Sequence, residues 1–319
     1  MSHPNIDGAL VQWGERLFYP GNRIVKVPPQ PRLLGNLARR AAEIRARIKA
    51  TVVRRAPQVM VKVTGGGRGM KAIAAHFRYI SKNGRLDIED EHGDVSRGKE
   101  AVREFVEDWR FGGTLIEEVS DRREAYNIML SMPRGTDPLS VLRAAREFAE
   151  AELADHKYVM VLHDHQANPH VHISVRAESK HGKRLHPRKA DLHRWRETFA
   201  ERLRGWGIDA EATRQATRGV SRNYPDLWRK RAAEEGRERK PRPARKPFTA
   251  SRESAARAWA DISSALRVST DPADRSLARD IERFVTGRTL DREVPKERTK
   301  LTPEAQRDIG RIDGLEKSR

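Results

Sequence analysis

The chain has 319 residues, 37% hydrophobic and 34% charged. That is enough apolar material for one sizeable core but not for a compact body using every residue. Lys and Arg number 64 against 45 Asp and Glu, a net charge of +19, and the pI near 10.5 points to a polyanionic partner, nucleic acid by default. The 6% aromatic content and the lack of a long apolar run speak against membrane insertion. Zero cysteine removes disulfides, thiol catalysis and thiolate-ligated zinc. Residues 1–22 show no signal-peptide pattern, and the composition fits a reducing cytoplasm.

In chain order, residues 1–30 carry scattered Gly and Pro and read as an irregular leader. Leu33, Leu37, Ala41, Ile44, Ile48 and Val52 recur at helical spacing, so a helix is expected from Leu33 to Val53. Its other faces carry Arg39, Arg40, Arg45, Arg47 and Lys49, which suits either phosphate binding or a docked, soluble helix. Gln58–Thr64 alternates as a strand, Gly65–Gly69 is a glycine-rich loop, and a helix follows over Lys71–Ser81 with Asn83-Gly84 as its stop. Met70 stands where the third glycine of a dinucleotide fingerprint belongs, so that reading is weak. The loop reads instead as a close approach of backbone to phosphate or as a connection. Further helices are expected at Arg97–Arg110, Leu139–Ala154 and Lys189–Trp206, a strand at Ala125–Met132, a hairpin over 157–177 and a short last strand at Ile208–Ala212. The pattern is α+β: a central antiparallel sheet with flanking helices. From 214 to 247 the chain is basic and broken by prolines, 251–288 regains weak helical periodicity, and the last thirty residues read as disordered. The organisation expected is a basic leader at 1–56, a core domain at 57–213, and a basic linker with a helical, partly disordered region at 214–319.

The densest chemistry lies in His163-Asp164-His165-Gln166-Ala167-Asn168-Pro169-His170-Val171-His172. Side chains alternate faces along a strand, so His170 and His172 point the same way. If the turn sets His163 opposite His170, three imidazoles converge as a divalent metal requires. Such a metal is a Lewis acid suited to a phosphoryl oxygen. A closed structural site would want a fourth ligand, and His165 is the candidate.

This motif resembles that of the relaxases, single-strand endonucleases of the HUH (histidine–hydrophobe–histidine) type that begin plasmid mobilisation and T-DNA transfer. Two more segments agree in order: Tyr79-Ile80-Ser81-Lys82-Asn83-Gly84, like the family's nucleophilic tyrosine motif, and Leu130-Ser131-Met132-Pro133-Arg134-Gly135-Thr136, like its strand ending in Ser. The resemblance covers about residues 57–213. It departs at His165, where the family has Asp, with Asp164 one place earlier; either could orient a ligand imidazole.

The resemblance implies a relaxase palm and a site- and strand-specific nicking reaction at a transfer origin during conjugative mobilisation. Tyr79 is the implied nucleophile, forming a 5′-phosphotyrosine, and Ser131 an implied catalytic residue. His163, His170 and His172 are the implied ligands of Mg²⁺ or Mn²⁺. Lys82 and Arg176 are candidate phosphate contacts. Among the other tyrosines, Tyr126 and Tyr158 fall in expected strands, Tyr19 in the leader and Tyr224 in the basic stretch. His76, His92, His156, His181, His186 and His193 read as ordinary groups. The implied partners are single-stranded or supercoiled origin DNA, relaxosome accessory proteins and the coupling protein of a type IV secretion system. The implied location is the cytoplasm, with export alongside the DNA. Two alternatives remain open at this point: a metal phosphoesterase that uses water, and a non-catalytic DNA-binding protein with a structural metal.

Overall fold

The computed structural model describes residues 5–19, 36–219 and 249–290. The strands are β1 (Met60–Gly65), β2 (Ile88–Asp90), β3 (Val95–Ser96), β4 (Ala125–Ser131), β5 (His156–His163) and β6 (His170–Ser179). The helices are α1 (Ile6–Phe18), α2 (Leu37–Val52), α3 (Met70–Ile80), α4 (Lys99–Phe111), α5 (Pro138–Leu153), α6 (Lys189–Gly205), α7 (Thr249–Arg267) and α8 (Pro272–Leu290). The strands form one sheet in the order β1-β4-β6-β5-β2-β3, and every neighbouring pair is antiparallel. This is the expected α+β architecture. No helix among the described residues is long and apolar enough to cross a membrane.

Alternation along the central strands divides the sheet into two faces. Val171, Ile173 and Val175 of β6 join Ile128 and Leu130 of β4 beneath Phe148 of α5 and Trp195 and Phe199 of α6. These three aromatic rings are fully buried, each worth about 1.5–3 kcal/mol relative to exposure. Asp137 caps α5 by accepting from the Ser140 amide at 2.8 Å, and Pro138 opens the helix where its missing N–H costs nothing. The opposite face carries Val159 and Val161 of β5 under Ile73, Phe77 and Ile80 of α3 and Trp109 of α4. His163 continues the Val159–Val161 row, and His170 and His172 lie on the same side of β6. α3 is therefore packed directly beside the histidines.

Three expectations are corrected. The leader contains α1, whose cap Asn5 accepts from the Gly8 amide at 2.8 Å. Gly14 hides this helix from a propensity reading but serves its packing: a Cβ there would sit 2.4 Å from Ile44 Cγ2 of α2. The short strand expected at Ile208–Ala212 is a single bridge, Gln58 to Glu211. Pro57, beside the bridge, has no N–H with which to extend it. The short, acidic β2 and the two-residue β3 were not expected, and they form the outer edge beyond β5.

The two ends of the chain share one core. Leu10 and Leu17 of α1, Ile44 and Ile48 of α2, Trp259 and Ile262 of α7, and Leu277 and Ile281 of α8 pack together. Helix α2 begins at Leu37, capped by Asn36, and its arginines join these elements. Arg45 bonds Asp7 and Asp274, each at 2.8 Å, and Arg40 pairs with Glu15. Arg47 reaches toward the sheet domain, to Glu197 of α6 at 2.9 Å and Glu211 at 3.2 Å. Trp259 Nε1 donates to Thr217 O, and the Thr217 hydroxyl donates to Leu17 O. The expected linker over residues 220–247, Tyr224 and the last 29 residues (291–319) lie outside the described residues.

Candidate metal and nucleophile site

The hairpin register sets His163 directly opposite His170 and His172 opposite Val161. All three histidines are buried, and one ligand nitrogen from each lies within 4.8 Å of the others. Small side-chain rotations would close that spread around a cation with bonds of about 2.1 Å. Backbone carbonyls orient two of the rings. His163 Nε2 bonds Ile80 O at 2.7 Å, and His170 Nδ1 bonds Asn168 O at 2.9 Å. In the tautomers these bonds require, the N–H donates to the carbonyl and the other nitrogen keeps its lone pair for a ligand. His163 Nδ1 and His172 Nδ1 are buried without a partner. Such orphaned nitrogens are costly unless something coordinates them. Burial, reinforced by the neighbouring imidazoles, pushes His172 down to about 3, and burial likewise lowers His163. Both are neutral at pH 7, the state in which an imidazole binds metal. The three side chains fit a divalent cation.

The Ile80 carbonyl that holds His163 belongs to the last turn of α3, one residue past Tyr79. The helix thus fixes the phenol beside the imidazoles. The Tyr79 ring lies 6.5 Å from that of His172 and is 70% exposed, free to meet a substrate from solvent. Ser81 ends the helix: its hydroxyl donates to Phe77 O at 2.7 Å and accepts from the Gly84 amide at 3.1 Å. Lys82, Asn83 and Gly84 all have positive φ. At Gly84 a Cβ would sit 2.3 Å from the Gly98 carbonyl carbon, so the turn requires glycine. The non-tyrosine residues of this segment therefore build the turn that stops α3 at the site. Lys82 lies near enough for its charge to contribute to the lowering at His163.

His76 was not expected here. It lies one turn before Tyr79, stacks on the phenol at 6.1 Å between centroids and meets His172 edge-on at 6.3 Å. Its Nε2 is buried without a partner, and burial pushes it down to about 4. The i, i+3 spacing from Tyr79 was the sequence signal for it. Ser131 is buried opposite His170 and shares its face. Asp164 and His165 lie on the exposed hairpin turn; the His165 ring is 5.1 Å from that of His163, outside the cluster of His163, His170 and His172. Arg176 is not brought to the site. It lies six residues along β6 from His170, about 20 Å away. It is buried, with its guanidinium donating to the carbonyls of Trp109, Gly112 and Thr114. That fork pins the loop after α4. The glycine loop is also internal: Gly67 N donates to Ala125 O, and Gly67 O accepts from Glu124 and Ala125.

Residues 79–208 match the family model of the relaxase MobA/VirD2-like nuclease domain, a stretch that takes in Tyr79, Ser131 and all three imidazoles. Over this stretch the chain is similar to the relaxase nuclease domain. It is 26% identical over 185 residues to the T-DNA border endonuclease VirD2 of Rhizobium radiobacter, covering 51% of this chain and 43% of that protein. It is also 26% identical over 185 residues to the VirD2 of Agrobacterium fabrum (strain C58 / ATCC 33970), covering 51% and 41%. The match thus spans less than half of either relative. A solved structure from work on the molecular basis of vancomycin resistance transfer in Staphylococcus aureus covers 50% of this chain and 99% of its own. Its identity is 15% and its TM-score 0.31, too low for the likeness to bear on the fold.

Proposed function

We propose that the protein is a DNA relaxase that nicks one strand at a transfer origin during conjugative mobilisation. The observation that carries this reading is the exposed Tyr79 phenol, held by α3 beside three buried imidazoles. Tyr79 Oη attacks the scissile phosphorus in line; the bond from phosphorus to the 3′-oxygen breaks. The phenol loses its proton and the departing 3′-oxygen gains one. The strand is left joined to the protein as a 5′-phosphotyrosine. One phosphodiester replaces another, so the step requires no ATP and runs backwards to reseal the strand. A divalent cation held by His163, His170 and His172 would supply positive charge for the phosphoryl oxygens. An all-imidazole donor set suits Mn²⁺ better than the harder Mg²⁺. Ser131, beside His170, and Lys82, on the turn after Tyr79, are placed to contact the strand, while His76 holds the phenol by stacking.

The match to a relaxase nuclease domain supports this reading. So does the place of His165 outside the ligand cluster, which leaves coordination positions open rather than closing a structural site. The partners follow from the reaction: supercoiled origin DNA, accessory proteins that open the duplex, and the coupling protein of a type IV secretion system. The reaction belongs in the cytoplasm, before the nicked strand leaves the cell.

The test is incubation with a supercoiled plasmid bearing the transfer origin and Mn²⁺, stopped with detergent. The relaxase reading expects open-circular plasmid with protein attached, and none from Tyr79→Phe. Nicking retained by Tyr79→Phe would establish instead a phosphoesterase that uses water.

A further inference from the structure

The junction between the sheet and the shared helical core contains a cavity of about 500 Å³ that the nicking chemistry does not use. Arg55, Arg218 and Arg283 line it together with Gln58 and Pro133, and among the described residues no carboxylate does. Elsewhere along this junction the cations are neutralised: Arg47 by Glu197 and Glu211, and Arg54 by Asp209 at 2.6 Å. Arg55 follows α2 with φ of 50° and has no acidic partner among the described residues. Arg218 is half-buried and spends only Nε, on Thr213 O at 3.0 Å. Burial without a nearby carboxylate lowers its pKa, the mark of a guanidinium short of an anion. Arg283 bonds Asp280 on its own helix and is otherwise exposed. Gln58 donates to Ala56 O, while its Oε1 is buried without a partner, an acceptor fit for an N–H donor.

Pro133 ties this cavity to the nuclease site. It stands two residues past Ser131, at most about 7 Å along the backbone, and Ser131 lies opposite His170. A strand seated at Tyr79 reaches the cavity within a few nucleotides. Three guanidiniums suit a phosphodiester, and the orphaned amide oxygen suits the N–H edge of a base.

We propose that this cavity holds a nucleotide of the single strand flanking the nick, its phosphate among Arg55, Arg218 and Arg283 and its base edge at Gln58 Oε1. The inference rests on the relaxase reading for what enters. It assigns substrate binding to residues outside the matched nuclease domain, contributed by both flanks of the chain.

The test is fluorescence anisotropy of the full chain with a short and a long oligothymidine across a salt series. Arg55→Gln/Arg283→Gln is the first variant, since both side chains are exposed; Arg218→Gln and Arg218→Lys follow, with melting temperatures recorded. The double variant is expected to weaken the long strand about tenfold and to cut the log–log salt slope by roughly 1–2, the loss of two phosphate contacts. Short-strand affinity changes less, and Arg218→Lys recovers part of what Arg218→Gln loses. Wild-type affinity and slope in the double variant would overturn the proposal. So would an equal loss on duplex DNA, which marks a general basic surface. Oligothymidine binding needs no nicking, so the two readings fail separately. Length-dependent loss without a Tyr79 adduct leaves the cavity standing and removes the relaxase. An adduct without length-dependent loss does the reverse.

Discussion

The face of the sheet beneath α3 and the helical core built from the two chain ends use charge in opposite ways. On the sheet, burial strips charge away: His163 is lowered and His172 is pushed down to about 3, leaving neutral nitrogens to bind a cation. In the helical core, burial keeps charge and pairs it: Arg40, Arg45 and Arg47 each find a carboxylate. A count of basic residues does not separate these uses; the partner does. Helix α2, the most suggestive phosphate-binding element in the sequence, spends these three arginines on holding the fold together. Arg55, just past this helix, and Arg218, much later in the chain, are guanidiniums without an acidic partner among the described residues.

The sharpest way to break this contrast is to remove a neutral nitrogen. His172→Ala should lower Mn²⁺ affinity by more than about 100-fold in calorimetric titration and abolish nicking. Unchanged Mn²⁺ affinity would mean that the imidazoles do not act as a set. Next comes a paired cation. Arg47→Met leaves the buried Glu211 and the half-buried Glu197 without their shared cation and should cost about 3 kcal/mol in denaturant unfolding. A loss under 1 kcal/mol would place that pair among surface bridges of little weight.

These two regions were unequally legible. The alternation of His170, His172 and Arg176 with Val171, Ile173 and Val175 makes the strand and its two faces legible and, through the pairing with His163, the convergence of three imidazoles. Tyr79 stands out in the sequence only through the resemblance of its segment to a family motif; the structure shows that Ser81 and Gly84 of that segment build the turn behind the phenol. Alternation reveals a face but not a distance along the strand, so Arg176 shares the histidines' face yet lies at the far end, bonded to the carbonyls of Trp109 and Gly112. His76 was passed over because a lone histidine on a helix carries no signal until its neighbour's role is known. The helical core was invisible for a different reason. α1 and α2 meet α7 and α8 only after a separation of more than about 200 residues, and periodicity describes one helix at a time. Gly14 lowers the helical propensity of α1 and at the same time admits Ile44.

Two smaller effects sharpen the comparison. Arg176→Met leaves the carbonyls of Trp109, Gly112 and Thr114 without their shared donor and should cost about 2 kcal/mol. Metal affinity should stay at the wild-type level, since the site is at the other end of the sheet. A matching loss of metal affinity would join the two ends. The smallest is a pH effect in the helical core. Asp274 is held below the usual carboxylate range, by the Arg45 hydrogen bonds foremost. Its contribution is therefore present above about pH 4, the unfolded value, and lost as pH falls through the lower folded value. Asp274→Asn should melt below wild type at neutral pH, with the gap closing under acid. A gap that persists unchanged would assign the effect to packing rather than charge.

The most direct measurement of the central claim is mass spectrometry of the peptide containing Tyr79 after reaction with origin DNA and Mn²⁺, followed by nuclease digestion. The account predicts a nucleotide attached through phosphate to the Tyr79 oxygen, absent when His172 is replaced. Efficient nicking with an unmodified Tyr79 peptide, or a nucleotide found on another residue, would contradict it.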